Sequence, residues 1–262
     1  MTPNNEMMNY ALVTGASSGI GYELCLLFAR NGYNLILVAR KEDKLRHIAN
    51  DLENNYKIKT LLIPIDLSHK NAAEKIFSQV QEKSITINYL VNNAGFYVKG
   101  AFSETSWEEE QGIIQLQCLN HIRLTKLFLP GMLKCGKGGI LNVGSTGSFV
   151  PGPYNAVYCA SKSFVLSFSE ALAQEVADSG ITVTALCPGG TYTAFQKFDK
   201  RKKSILFPVM KASRVAEIGY KSLMKGKRVV IPGRMNKIQV FFIRFIPRNF
   251  IVRLTGSIVA KK

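Results

Sequence analysis

Seven short apolar runs recur along the chain, separated by segments of helical periodicity. The runs are rich in Val, Ile and Leu and nearly continuous, which is typical of strands buried on both faces of a parallel sheet. They cover residues 10–14, 34–39, 59–65, 88–92, 139–143, 181–187 and 228–231. Amphipathic segments predict helices within residues 22–32, 41–55, 68–82, 107–134 and 154–179. Ser68 is the expected N-cap of the third helix.

This alternation of strands and helices predicts an α/β fold: a doubly wound parallel sheet, Rossmann-like, with helices on both faces. A length of 262 residues suits one domain of this type. Ligands in such folds bind beyond the carboxyl ends of the strands. The residues that follow each apolar run are therefore the first candidates for a site.

Composition excludes several classes of protein. The chain is 47% hydrophobic and 20% charged, as globular domains are. Its five cysteines are scattered without a Cys-x-x-Cys pair, and its three histidines show no metal-binding spacing. We therefore expect no metal and a reducing, cytoplasmic location. The N-terminus does not resemble a secretory signal, and no stretch of about 18 apolar residues predicts a membrane span.

The net charge of +16 is confined to the last quarter of the chain. Residues 1–189 carry equal numbers of basic and acidic side chains, whereas residues 190–262 hold 18 Lys and Arg against Asp199 and Glu217. The excess is therefore a property of one region and calls for a local explanation.

The loop after the first run reads TGASSGIG and joins a strand to an amphipathic helix. Glycines let the backbone turn tightly and let a phosphate approach the helix N-terminus, where amide groups and the helix dipole favour an anion. The alternative is a plain tight turn. The strand–loop–helix context favours a nucleotide site made by Gly15, Ser17, Ser18, Gly19, Ile20 and Gly21.

Arg40 and Lys41 follow the second run. Dinucleotide-binding folds that use the unphosphorylated cofactor usually place an acid there for the ribose 2′-hydroxyl. A guanidinium suits a 2′-phosphate instead, so we predict NADP as the cofactor. The alternative is a solvated charge at the start of a helix. Asp66 and Leu67, after the third run, are placed to meet the adenine.

Three further strand ends carry polar or turn-forming residues. Asn93, Ala94 and Gly95 follow the fourth run and can let a ribose approach the backbone. Ser145 is the first hydroxyl after the fifth run. The sixth is followed by a turn that exposes backbone groups and includes Pro188, Gly189, Thr191 and Thr193.

Tyr158 and Lys162 lie four residues apart, on one face of a predicted helix. An ammonium beside a phenol lowers the pKa of the phenol and makes it a proton donor and acceptor near neutral pH. A Tyr-x-x-x-Lys match is expected about once by chance in such a chain. Its meaning therefore depends on the surrounding motifs.

Taken together, these motifs resemble the short-chain dehydrogenase/reductase family in its single-domain branch, over residues 9–195. The resemblance rests on Thr14-Gly15-x-x-x-Gly19-x-Gly21, Asn92-Asn93-Ala94-Gly95, Ser145, Tyr158-x-x-x-Lys162, and Pro188-Gly189 with Thr193. It implies hydride transfer between a nicotinamide and a ketone or secondary alcohol, with Tyr158 as general acid or base. Lys162 would bind the nicotinamide ribose and Ser145 the substrate oxygen.

One position departs from the family pattern. Where the family has an asparagine that completes a proton relay with the lysine, this chain has Gln117, an amide one methylene longer. The resemblance also implies a homodimer or homotetramer, and a division into a dinucleotide-binding and catalytic core, residues 1–195, followed by residues 196–262. The second part would supply a substrate lid, the last strand and a basic amphipathic C-terminal segment of the same domain.

That C-terminal segment interleaves aromatic and basic side chains and is broken at Pro247. It could pack on the core or a partner subunit, or lie on an anionic membrane surface. Nucleic-acid binding is not expected, since no binding module surrounds the charge.

The apolar tail suggests a lipid-like or steroid-like carbonyl or alcohol substrate. The alternative function is a non-catalytic nucleotide-binding module whose basic tail binds a membrane surface or a partner.

Overall fold

The computed structural model describes residues 9–193 and 209–260, with the backbone alone for 258–260. Seven parallel strands form one sheet in the order β3-β2-β1-β4-β5-β6-β9. Their bounds are β1 Tyr10–Thr14, β2 Asn34–Ala39, β3 Thr60–Pro64, β4 Ile87–Asn92, β5 Gly138–Val143, β6 Ile181–Leu186 and β9 Val229–Val230. Two short strands, β7 Thr191–Tyr192 and β8 Met210–Lys211, pair separately.

Helices cover both faces of the sheet, as predicted. They are α1 Gly19–Arg30, α2 Glu42–Tyr56, α3 Ala72–Glu82, α4 Trp107–Ile114, α5 Asn120–Cys135, α6 Ala156–Glu175, α7 Ala212–Met224, α8 Arg234–Ile243 and α9 Arg248–Ala260. A π-helical turn, Gln115–Leu119, joins α4 to α5, and a 3₁₀ turn, Thr146–Phe149, follows β5. In the described part of the chain, none of these helices is long and apolar enough to cross a membrane.

The predicted fold class is confirmed, and each apolar run matches its strand to within one residue at either end. The predicted N-cap of α3 is wrong. That helix begins at Ala72 after Asn71, which adopts a left-handed conformation with φ of 61°. The Ser68 hydroxyl donates instead to the Asp66 carboxylate at 2.7 Å. The Ser68 hydroxyl is therefore engaged in a local hydrogen bond and does not cap the helix.

The continuous apolar runs are explained by two cores, one on each face of the sheet. In β2, Leu35 and Leu37 belong to the core under α1 and α7, whereas Ile36 and Val38 belong to the core under α3 and α5. All four side chains are fully buried. Successive residues of a strand face opposite sides of the sheet. When helices cover both sides, the residues that face each side must be apolar.

A group of aromatic rings fixes α1 and α7 on the first of these cores. The ring centroid of Phe28 in α1 lies 5.5 Å from that of Tyr33, 5.4 Å from that of Tyr89 in β4 and 5.0 Å from that of Tyr220 in α7. Edge-to-face pairs at these separations are favourable beyond their buried area. The group therefore connects the start of the chain to the part that follows residue 208.

We expect Phe28→Ala to lower the free energy of unfolding by about 3–5 kcal/mol, because it removes a fully buried ring and leaves a cavity among three others. Urea unfolding followed by circular dichroism measures the change. The matched control is Phe245→Ala, whose ring is 71% exposed and whose loss should matter by no more than about 0.5 kcal/mol. Equal effects for the two variants would contradict the assignment of Phe28 to the core.

Candidate active site

The Thr14 hydroxyl joins the carboxyl ends of β1 and β4. Its Oγ1 donates to the Val91 carbonyl at 3.1 Å and accepts from the Asn93 and Ala94 amides at 2.9 and 3.0 Å. The Asn93 side chain donates back to the Thr14 carbonyl at 2.8 Å. The strand order reverses between β1 and β4, and ligands of doubly wound folds bind at such a switch point. These bonds fix the floor of the predicted cofactor site.

The glycine loop lies directly above this floor. Gly15 and Gly19 have φ of 67° and 57°, in the left-handed region that glycine favours. At Gly21 a Cβ would overlap the Gly15 carbonyl and the Asn93 amide, so the turn requires glycine there. Ser17 and Ser18 are half-buried, and Ile20 packs at the margin of the core.

The N-terminus of α1 is suited to an anion. Ser18 is its N-cap, with an extended backbone and without a side-chain capping bond, and its first turn contains no acidic residue. Amide groups of the first helical turn have no intrahelical acceptor. The Thr193 side chain lies beside Gly19, the first residue of this helix.

Arg40 and Asp66 lie together at the ends of β2 and β3. An Arg40 guanidinium nitrogen is 3.8 Å from an Asp66 carboxylate oxygen, and the Arg40 side chain is 76% exposed. Partial burial opposes ionisation of Asp66, but hydrogen bonds from Ser68 and the Arg40 charge keep its pKa below the usual range. Lys41 is exposed at the start of α2.

Leu67 lies at the predicted adenine position, in the loop that follows β3. The side chain is buried in the second core, and its carbonyl accepts from the Asn120 amide at 2.6 Å. Asn120 also donates to the His69 carbonyl at 3.0 Å. The loop after β3 is therefore held from α5, and Leu67 also lines a small cavity beside Thr14 and Ala94.

Ser145 and Tyr158 come together at the end of β5. Their side chains are hydrogen-bonded, and the Ser145 Oγ also accepts from the Gly147 amide at 3.0 Å. Ser145 caps the 3₁₀ turn through a reciprocal pair of bonds with Ser148. The Tyr97 ring lies against the Tyr158 ring, with centroids 5.9 Å apart.

The pKa of Tyr158 is raised in the structure, whereas the sequence predicted that Lys162 would lower it. Burial raises it to about 12, and the hydrogen bond with Ser145 opposes this increase. The expected lowering by Lys162 is wrong for this structure, because the ammonium is directed elsewhere. Its Nζ donates to the Val143 carbonyl at 2.8 Å and lies 5.8 Å from the centroid of the Tyr158 ring.

Lys162 itself is 5% exposed. Burial lowers the pKa of its ammonium to about 8, since the charged form loses its hydration. At neutral pH the Lys162 ammonium is therefore destabilised by burial. A negatively polarised ligand group within reach would stabilise it.

Gln117 is buried in the π-helical turn between α4 and α5. Its Nε2 donates to the Phe96 carbonyl at 2.6 Å, and its Oε1 has no hydrogen-bond partner in the described part of the chain. A Cβ placed on Gly95 would lie 3.2 Å from this Oε1 and 3.6 Å from the Lys162 Nζ. Both polar groups therefore face the space beside Gly95, which a larger residue would fill.

The turn after β6 closes the same edge of the sheet. The Pro188 carbonyl accepts from the Thr146 amide at 2.9 Å, and the Thr191 hydroxyl donates to the Gly189 carbonyl at 3.0 Å. A Cβ on Gly189 would press on the Asn236 side chain at the start of α8. The C-terminal region is thereby packed against the predicted site.

The structure thus brings the predicted residues to one edge of the sheet, with Leu67 directed into the core. It also shows contacts that the sequence did not predict: Thr14 as the connection of β1 to β4, Tyr97 against Tyr158, and Phe96 as the acceptor for Gln117. The position of Thr14 at a strand end was the one available signal. Tyr97 and Phe96 follow the Asn-Asn-Ala-Gly motif in a loop whose path no sequence pattern gives.

Comparison with known proteins agrees with this arrangement. The family model described as short chain dehydrogenase matches residues 9–204. The chain therefore belongs to the short-chain dehydrogenase family.

Individual relatives carry names that specify a reaction. The chain is 36% identical over 203 residues to a very-long-chain 3-oxoacyl-CoA reductase of Phaeosphaeria nodorum, a match that covers 76% of this chain and 59% of that protein. A protein of the same name from Aspergillus oryzae is 38% identical over 180 residues, covering 67% and 51%. The chain thus spans only about half to three fifths of these curated relatives.

Solved structures share nearly the whole fold. A short-chain dehydrogenase from Sphingobium yanoikuyae in complex with NADPH has a TM-score of 0.79 and 28% identity, covering 92% of this chain and 97% of that one. A 7beta-hydroxysteroid dehydrogenase superposes with a TM-score of 0.87 over 95% of this chain at 23% identity, which shows the common fold alone.

The buried lysine generates a testable prediction about stability. The unfolded chain holds the Lys162 proton up to a pKa near 10.5, whereas the folded chain releases it near 8. The folded state is therefore penalised most below pH 8, and stability due to this group rises with pH between these values. Lys162→Met should stabilise the protein by about 1–3 kcal/mol at pH 7, with a smaller gain at pH 10.

Urea unfolding at pH 7 and pH 10 measures this difference between variant and parent. Lys126→Met, at an exposed position of α5, is the control and should change stability little at either pH. A Lys162→Met difference that is the same at both pH values would show that the ammonium is not destabilised by burial.

Proposed function

We propose that this protein is an NADP(H)-dependent oxidoreductase that transfers a hydride between the nicotinamide and a ketone or secondary alcohol. The observation that carries the proposal is the Ser145–Tyr158 hydrogen bond above buried Lys162, at the same sheet edge as the glycine loop. Hydride delivery to a carbonyl generates an alkoxide, and two hydroxyl donors beside a cation stabilise that charge as it forms.

The residues present fit a phosphorylated dinucleotide. The start of α1 offers amides without a competing acid, and Gly15, Gly19 and Gly21 let a pyrophosphate approach the backbone. Arg40 is exposed at the position that faces the adenosine ribose in doubly wound folds, and it suits a 2′-phosphate. The cofactor supplies the hydride, while the protein orients the reacting groups. The bound NADPH in the Sphingobium yanoikuyae structure supports the same choice.

The direction of proton transfer follows from the Tyr158 environment. A phenol with a pKa of about 12 keeps its proton at neutral pH and is ready to donate it to a developing alkoxide. This protonation state suits Tyr158 to act as the general acid in carbonyl reduction. Lys162, which releases its proton near pH 8, would assist by holding a ribose hydroxyl and by replacing the Tyr158 proton after each turnover.

Gln117 is proposed to take the place of the relay asparagine. Its unpartnered Oε1 and the Lys162 Nζ face the same space beside Gly95, so one water there could accept from the ammonium and donate to the amide. The longer side chain is accommodated because its Nε2 is fixed on the Phe96 carbonyl.

For the substrate we propose a carbonyl compound with a long apolar chain, such as a 3-oxoacyl thioester. The names of the fungal relatives support this class. An open groove of about 670 Å³ also lies between α9 and two loops, one that follows Tyr97 in the chain and one that precedes Tyr158. Its lining is mainly small and apolar, with one basic and one hydroxyl side chain: Ala101, Phe102, Pro153, Tyr154, Val252, Arg253, Gly256 and Ser257.

We expect Tyr158→Phe to lower kcat for reduction of a long-chain 3-oxoacyl-CoA by about 10²–10⁴-fold, because it removes the proton donor. NADPH oxidation followed by absorbance gives the rate, and NADPH fluorescence should show unchanged cofactor binding. Tyr56→Phe is the control, because the Tyr56 hydroxyl contacts Arg30 at the end of α1 that is remote from the glycine loop.

If Tyr158→Phe is as active as the parent, Tyr158 is not the general acid. A parent that binds NADPH yet reduces neither the thioester nor any compound in a broad carbonyl panel would favour the alternative of a non-catalytic nucleotide-binding module.

The cofactor proposal has its own test. Arg40→Ala should weaken NADPH binding by about 10–100-fold, the loss of one charge-assisted contact, and leave NADH binding unchanged. Fluorescence titration with each nucleotide measures both constants. Arg46→Ala, an exposed arginine of α2 paired with Glu42, should alter neither. Equal losses for NADPH and NADH would place Arg40 away from the 2′-phosphate.

A further inference from the structure

The C-terminal helices carry an unusual share of the exposed apolar surface. In α8, α9 and the turn between them, six large apolar side chains are 47–71% exposed: Ile238, Phe241, Phe242, Phe245, Phe250 and Leu254. The Phe241 ring lies 5.6 Å from that of Phe242 and 5.3 Å from that of Phe245, so three rings form one surface cluster. A monomeric soluble protein rarely leaves such a cluster in water.

The charge of this region is of one sign. No Asp or Glu follows Glu217 in the sequence, and Arg244, Arg248 and Arg253 are exposed among the apolar residues. Exposed Arg234 and Lys237 add to them at the start of α8. The apolar cluster is therefore surrounded by cations that have no neighbouring carboxylate along the segment.

We propose that residues 234–257, the docking segment, bind the surface of an anionic lipid bilayer. Aromatic side chains suit the boundary between headgroups and acyl chains, and each nearby Lys or Arg is attracted to anionic headgroups. Pro247 separates the two helices, and each is short, so the segment lies on the bilayer rather than crossing it.

The segment is held with this face outward by contacts on its other side. Val240 of α8 and Ile251 of α9 are buried, and Asn236 donates to the Pro232 carbonyl at 2.7 Å. The Thr255 hydroxyl donates to the Pro151 carbonyl at 3.1 Å, in the loop that precedes α6. The apolar cluster therefore cannot turn inward without breaking these contacts.

A second copy of the chain is a less suitable occupant. A twofold interface places the same patch of both subunits face to face. Such pairing of the docking segment with its own copy would bring Arg244, Arg248 and Arg253 of both subunits into one interface, to which the segment contributes no carboxylate. Bringing like charges together in an interface that excludes water is unfavourable. A layer of anionic headgroups, in contrast, complements these arginines.

The proposal is tested by sedimentation of the full chain with vesicles of phosphatidylcholine alone and of phosphatidylcholine mixed with phosphatidylserine. We expect binding to the mixed vesicles that weakens as salt is raised. Two variants should each bind at least about tenfold more weakly: Phe241→Ser/Phe242→Ser/Phe245→Ser, which removes the aromatic cluster, and Arg244→Gln/Arg248→Gln/Arg253→Gln, which removes the charge.

Matched controls alter the same properties elsewhere. Lys44→Gln/Lys75→Gln/Lys126→Gln removes three exposed charges from α2, α3 and α5, and Leu133→Ser/Met224→Ser removes exposed apolar surface from α5 and α7. Both should bind the mixed vesicles as the parent does. NADPH titration of every variant verifies that it is folded, independently of any catalytic activity.

Two results would overturn the proposal. One is vesicle binding that is absent in the parent or equal in the docking-segment variants. The other is a change of oligomeric state in those variants, measured by light scattering, without a change in vesicle binding, which would assign the surface to self-association.

Discussion

The Thr14 hydroxyl is the point on which the candidate site depends. By bonding to Val91, Asn93 and Ala94 it fixes the ends of β1 and β4 relative to each other, although they lie 77 to 80 residues apart in the chain. The glycine loop starts from one of these strands and the Asn-Asn-Ala-Gly loop from the other. A relative shift of the two strands would therefore change the floor and the wall of the nucleotide site together.

Burial then determines the chemistry of the groups above that floor. It pushes the pKa of Tyr158 up and that of Lys162 down, so each side chain is driven towards its neutral form. A partly buried sheet edge gives hydroxyl donors more strength against a developing alkoxide than bulk water would allow. The same burial makes the Lys162 ammonium destabilise the folded state. Groups that serve activity at the expense of stability are common at functional sites.

The sequence was sufficient for the fold because buried parallel strands and amphipathic helices leave distinct apolar periods. It was also sufficient for the family, because the motifs have a fixed order and spacing. It was insufficient where partners compete. Ser68 bonds to Asp66 rather than capping α3, and Lys162 bonds to Val143 rather than lowering the pKa of Tyr158. Helical spacing gives the direction of a side chain but neither its burial nor its nearest acceptor. The division into core and lid stays a prediction, since it falls partly on residues 194–208, outside the described residues.

The position of β9 has a consequence for how the molecule is made. β9 pairs with β6 and so completes the sheet at its far edge, and α7, just before β9, packs against α1 through Tyr220 and Phe28. A nascent chain that has reached β6 therefore exposes both an unpaired strand edge and an uncovered apolar face until more than 40 further residues have left the ribosome. Such intermediates aggregate readily. Aggregation during synthesis should therefore be most probable in the interval between the emergence of β6 and that of β9.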